Sequence, residues 1–169
     1  MDVGHNLGAF AIWACKCWWP GLITRVDAYE PNAKALEIAL LNTLGLPVVA
    51  RWAAVTVDPE PLFCERGADG RANWGGGRTS SVTYGERVQA VHPRNLPSAD
   101  VLKVDAEGVD LEVFENYQHW STVKIAMFEW HHVEHREPMQ DICRSAGLVQ
   151  LRDDDGARYG QGQQIWGRV

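Results

Sequence analysis

A chain of 169 residues that is 46% hydrophobic and 22% charged has the size and make-up of one soluble globular domain with a core of its own. A net charge of −6 speaks against a broad nucleic-acid face, though not against a local basic patch, and 12 Arg against 4 Lys reflects genome composition more than function. No stretch approaches a membrane span, no signal peptide is recognised ahead of the four cysteines (Cys15, Cys17, Cys64 and Cys143), and reduced thiols in a cytoplasmic protein are expected.

In chain order, Met1 to Phe10 reads as the end of a strand, a glycine turn and the start of a helix. Gly8 to Trp18 is apolar nearly all round and predicts a helix buried on a sheet, ended by Pro20. Cys15 and Cys17 point to nearly opposite faces of it. Thr24–Glu30 is a strand, and Asn32 caps a helix to about Leu44 with Gly45 as its stop. Pro47–Val57 is a strand with a bend near Ala53-Ala54. Asp58–Thr79, rich in Pro and Gly, is a long loop or lid. Strands follow around Val82, over Val88–Val91 and over Asp100–Asp105. Next come a helix from Val109 to Tyr117, a strand over Val123–Glu129 and a helix over Pro138–Ala146. Leu148–Arg152 and Gln163–Trp166 read as an antiparallel hairpin. The alternation predicts a mostly parallel sheet with helices on both faces, whose ligands sit beyond the carboxyl ends of the strands.

Three groups of residues fall at those ends. Asp2, Gly4, Asn6 and Gly8 form a glycine turn, G-x-x-x-G, with an acid two residues before it. Glu30, followed by Pro31 and Asn32, ends the next strand, where a carboxylate accepts both hydroxyls of a ribose. This spacing differs from the dinucleotide fingerprint and suits a nucleoside with a cationic amino-acid tail better than a pyrophosphate. At a strand's end, Glu30 is expected to serve the ligand rather than the fold. In the second group, strand alternation puts Lys103 and Asp105 on one face, with Glu107 and Gly108 in the turn beyond. A structural ion pair is the plainer reading of the same residues. The third is Glu129-Trp130-His131-His132, with His135. His131 is a candidate general base because an imidazole titrates near neutrality. Glu129, His131 and His135 would hold a metal only on a helix, which Pro138 keeps short, so no metal is expected.

Asp2-Val3-Gly4-His5-Asn6-Leu7-Gly8, Tyr29-Glu30-Pro31-Asn32, Thr79-Ser80-Ser81-Val82 and Leu102-Lys103-Val104-Asp105-Ala106-Glu107-Gly108, together with Glu129 and His131, resemble the FkbM family of S-adenosylmethionine-dependent methyltransferases over nearly the whole chain. The resemblance implies the seven-stranded, three-layer, Rossmann-like methyltransferase fold, in one domain over residues 1–169, and mainly O-methylation. It also implies that the glycine motif and Glu30 hold S-adenosylmethionine, while Asp105 and Glu107 line the reaction centre. Asp105 or His131 is then the expected base, with Lys103 tuning Asp105. Family members carry a full first strand; here Met1 directly precedes Asp2, so that strand is expected to be short. The expected acceptor is a small hydroxylated molecule rather than nucleic acid, with no membrane partner and with a homodimer allowed. An RNA methyltransferase and a non-catalytic cofactor-binding remnant are the competing readings.

Overall fold

The computed structural model describes residues 1–60, 62–63, 86–154 and 161–169. Most of the 58–79 loop, the strand around Val82, the Thr79–Val82 motif, Cys64 and the tip of the closing hairpin lie outside them. The described elements begin with β1 (Asp2–Val3), α1 (Ala9–Trp13), β2 (Val26–Glu30), α2 (Ala33–Asn42), β3 (Val48–Trp52) and β4 (Ala54–Val55). Then come β5 (Leu62–Phe63), β6 (Glu86–Arg87), β7 (Ala90–Val91), β8 (Val101–Val104) and α3 (Asp110–Asn116). The chain closes with β9 (Ile125–Trp130), α4 (Val133–Ser145), β10 (Val149–Asp154) and β11 (Gly162–Gly167). Among the described residues, no helix is long and apolar enough to cross a membrane.

The main sheet has seven strands in the order β10-β11-β9-β8-β1-β2-β3. The five from β3 to β9 are parallel. The expected C-terminal hairpin is present, and its second strand is inserted between β9 and β10, antiparallel to both. Burial follows the layers. All five residues of β2 are buried, as strands covered on both faces must be. In β8 and β9 the residues alternate, with Leu102, Val104, Ala126, Phe128 and Trp130 fully or almost fully buried. Val113 and Phe114 of α3 and Met139 and Cys143 of α4 join them in one core. Each large apolar side chain buried this way contributes about 1.5–3 kcal/mol.

Register then positions the site. Asp2 lies opposite Ala28 and Lys103, and Val3 opposite Tyr29 and Val104. The carboxyl ends of β1, β2 and β8 therefore coincide, which brings Gly4, Glu30 and Asp105 to one rim.

Several local expectations change. The first helix is not buried all round: only Ala11, Ala14 and Cys15 are buried, while Trp13, Cys17 and Trp18 are exposed. From Ala14 to Trp18 it widens to π spacing, marked by the Trp19 N–H bond to the Ala14 carbonyl. The wider turn puts residues five apart on one face, and the tilted rings of Trp13 and Trp18 meet with centroids 3.9 Å apart. The expected bend near Ala53 is real, since β4 leaves the main sheet and pairs with β7. Of the strand expected over Val88–Val91 only Ala90–Val91 forms, as β7 paired with β4, while β6 lies just before it and pairs with β5.

Helix α4 starts at Val133, five residues before Pro138. Proline at the sixth helical position removes one bond, the one its own N–H would make to the Glu134 carbonyl. Burial of Met139 and Cys143 on one face offsets that loss.

Candidate active site at the carboxyl ends of the central strands

The glycine turn is pinned by the protein's own backbone. The Gly4 and His5 N–H groups both donate to the Tyr29 carbonyl, at 3.1 and 3.0 Å. Gly4 has φ +78, and a Cβ there would lie 1.7 Å from the Asp105 carbonyl oxygen. The close approach that requires glycine is thus to β8 itself. Asn6 is also left-handed, at φ 49, a conformation Asn tolerates better than most residues. Gly8, at φ +83, packs against α2, where a Cβ would meet Thr43 at 2.9 Å.

Lys103 lies beneath this turn. Its Nζ donates to the Gly4 carbonyl at 2.5 Å and the Val3 carbonyl at 3.3 Å, and stands 3.2 Å from Asp2 and 3.6 Å from Asp105. Burial works against the ammonium, but Asp2 and Asp105 outweigh it and hold its pKa above the ordinary value. Asp2 is fully buried and bonded to His5 Nδ1 at 2.7 Å. Burial opposes its ionisation too, yet Lys103 and His5 keep its carboxyl below the usual range. The expected pairing of Lys103 with Asp105 is present, but its closer partners are Asp2 and the turn carbonyls.

Glu30 holds the fold as well as facing the ligand side. One oxygen accepts the Asn6 N–H at 2.6 Å and the other the Asn32 N–H at 2.8 Å. Burial pushes its pKa up, with these two bonds pulling the other way. The expectation that a carboxylate at a strand's end is dispensable for the fold is therefore corrected: Glu30 ties the glycine turn to the start of α2. Asn32 caps that helix, accepting from Lys34 N and Ala35 N at 3.0 and 3.1 Å, and the Pro31 carbonyl accepts from Trp52 Nε1.

On the other side of the rim, His131 meets four carboxylates. Its Nδ1 bonds Asp110 at 2.9 Å. Its Nε2 faces Glu107 at 3.4 Å, Asp105 at 3.7 Å and Glu129 at 3.9 Å. Burial works against a charged ring, but Asp110, Glu107 and Asp105 outweigh it and raise the pKa to about 9. That lies above the near-neutral titration expected from the sequence. Burial, opposed by His131 and reinforced by Asp105, Asp110 and Glu129, pushes Glu107 up to about 7. His135 does not join this group; it packs on His132, the residue that precedes α4, with ring centroids 5.0 Å apart.

Asp110 went unnoticed in the sequence. Fully buried, it accepts the Ala106 N–H at 2.6 Å and the Gly108 N–H at 3.1 Å in addition to His131. The signal was there: an acid at the first residue of α3, two positions past a glycine in a turn that needs its N–H groups satisfied. Asp110→Asn should lower the His131 pKa from about 9 by roughly one unit or more, because the partner loses its charge. NMR titration of the ring protons reads this directly. An unchanged value would mean that the carboxylates facing Nε2 hold the proton alone.

Beside Asp105 and Glu129 opens a cavity of about 420 Å³, with Phe10, Trp13 and Met127 on its apolar wall and Arg152 and Gln163 among its polar groups.

A parallel sheet whose final strand is inserted antiparallel, with helices around it, is the Rossmann-like methyltransferase fold, mostly parallel as expected. Among solved structures, the chain is similar to a protein in the NADB-Rossmann superfamily from Streptococcus agalactiae, at TM-score 0.53 and 14% identity, covering 99% of this chain and 60% of that one. It is similar also to a SAM-dependent methyltransferase from Leishmania major, at TM-score 0.51 and 11% identity, covering 98% and 62%. A third is the ribosomal protein L11 methylase from Lactobacillus delbrueckii subsp. bulgaricus, at TM-score 0.50 and 12% identity, covering 99% and 68%. The chain thus spans between 60% and 68% of the length of these three. At such identities the likeness is one of fold. No family model matches the sequence, and no curated protein matches it.

Proposed function

We propose that this chain is an S-adenosylmethionine-dependent methyltransferase of the FkbM type, acting on a hydroxyl oxygen of a small molecule such as a sugar or secondary metabolite. The observation that carries the reading is the Glu30 carboxylate closing the glycine turn at the end of β2, beside Asp105 at the end of β8. The donor set fits the cofactor. Each Glu30 oxygen accepts one N–H and keeps a second lone pair for a ribose hydroxyl. Asp105, Glu107 and Glu129 give the rim a negative field that favours a cationic amino-acid tail and repels a pyrophosphate. Bound there, the cofactor supplies a methyl group already activated on a sulfonium.

The residues of the chain align the partners and handle the proton. Asp105 stands between Lys103 and His131 and is the candidate base for the acceptor hydroxyl. His131, anchored by Asp110, fixes the orientation of Asp105 and Glu107. The cavity beside Asp105 offers an apolar wall with polar groups at its rim, the form of a small-molecule site.

Calorimetry tests the reading. The purified protein should bind S-adenosylmethionine and its demethylated product, and bind neither NAD nor ATP comparably. NAD binding with no response to the methyl donor would overturn it.

A further inference from the structure

We propose that Asp105, Glu107 and His131 form a binding site for a divalent first-row cation of the Mn²⁺ class, whose open positions receive an acceptor with two neighbouring oxygen donors, such as a vicinal diol or an α-hydroxy acid. The acceptor part rests on the methyltransferase reading; the cation site stands on geometry alone.

Three ligand atoms, one from each side chain, all lie within 4.8 Å of one another. They come from three places: the end of β8, the turn before α3, and the residue after β9. The fold brings them to one point from 26 residues of sequence, so they are not a run of solvated acids. His131 is the decisive member. Its side chain is only 10% exposed, and its Nδ1 is fixed on Asp110. Its Nε2 points into the gap between the carboxylates and makes no hydrogen bond among the described residues; the nearest oxygens are at 3.4, 3.7 and 3.9 Å. A largely covered imidazole with one nitrogen held by a carboxylate and the other facing acids is the arrangement that metal-bound histidines adopt. Asp110 also orders the turn that carries Glu107, by accepting from Ala106 and Gly108.

Charge points the same way. Four carboxylates, Asp105, Glu107, Asp110 and Glu129, surround a single imidazole, and the nearby Lys103 is shared with Asp2 and two carbonyls. One nitrogen and two oxygens suit a first-row cation better than Ca²⁺, whose sites are built of oxygen. Three protein ligands leave positions open, and a cation on an oxygen weakens its hold on its proton. That help matters because Asp105, once on the cation, is a weaker base for the acceptor hydroxyl. An acceptor that chelates through two oxygens would be chosen over an isolated alcohol.

Mn²⁺ titration followed by electron paramagnetic resonance, on the purified chain without methyl donor, tests the site. One Mn²⁺ should bind per chain, about tenfold or more weakly in His131→Ala and in Glu107→Gln. Glu107 lies in a partly exposed turn, so Glu107→Gln keeps the test alive if His131→Ala does not fold, as a thermal melt would reveal. No binding at millimolar Mn²⁺, or binding undiminished in folded variants, overturns the site. Calorimetry with the methyl donor separates the two readings: Mn²⁺ binding without donor binding upholds the cation site while sinking the methyltransferase, and donor binding without Mn²⁺ binding does the reverse.

Discussion

Glu30→Ala should both loosen the fold and abolish useful cofactor binding. Its two oxygens hold the N–H groups of Asn6 and Asn32, which join the glycine turn to the start of α2. Each N–H left without a partner costs about 1–3 kcal/mol, so a stability loss of about 2–5 kcal/mol is expected by urea unfolding. Affinity for S-adenosylmethionine should fall by at least about 1.5–3 kcal/mol, roughly 10- to 150-fold, since the same oxygens are the proposed ribose partners. Glu30→Gln separates the two effects. It retains one acceptor oxygen and sets an amide NH₂ against the other N–H, so it should sit between the parent and the alanine variant in stability. A Glu30→Ala protein as stable as the parent would show that the turn does not depend on these bonds.

Gly4→Ala should be more damaging than the same change at Gly8, Gly21, Gly45 or Gly147. The added Cβ would meet the Asp105 carbonyl at 1.7 Å, and φ +78 is left-handed. Backbone on both sides is already committed: the Gly4 N–H to Tyr29 and the Gly4 carbonyl to Lys103. Relief requires moving the end of β8, and with it Asp105. We expect a loss of about 3 kcal/mol or more, measured by denaturant unfolding, with poor soluble yield. Gly8→Ala is the control. Its φ is similar, but its nearest neighbour is a Thr43 methyl at 2.9 Å, a side-chain atom that can turn away. If Gly4→Ala proved no worse than Gly8→Ala, the contact with β8 would not be what demands glycine.

These two residues show what the sequence made legible and what it did not. The strand that ends at Glu30, the Asn32 cap and the alternation of Lys103 with Asp105 all follow from local rules, and all stand in the structure. So does the glycine turn. Its cause was not legible, because the atom Gly4 avoids belongs to Asp105, just past β8 and 101 residues away in sequence. The same holds for Glu30: an acid at a strand's end is visible, whereas the N–H groups it holds are a property of the assembled rim. Local rules misplaced the start of α4, because they treat proline as a boundary and cannot weigh the burial of Met139 and Cys143 that carries the helix past it. The π widening after Trp13, which sets the rings of Trp13 and Trp18 side by side, is not anticipated by any periodicity argument. Asp110 was overlooked because an acid opening a helix has an ordinary explanation in the helix dipole; its contact with His131, 21 residues on, exists only once β8 and β9 lie side by side.

The insertion of β11 between β9 and β10 settles which strand is left at the rim of the sheet. β10 is exposed along all six of its residues, and among the described residues no strand pairs with its outer edge. Its sequence discourages such a visitor. The register slips between Gln150 and Arg152, which kinks the ladder, and Arg152, Asp153 and Asp154 end it in charge. A second copy sliding in antiparallel would have to bring its own irregular, charged border against this one. Kinked and charged borders of this kind keep open sheets from growing into fibres.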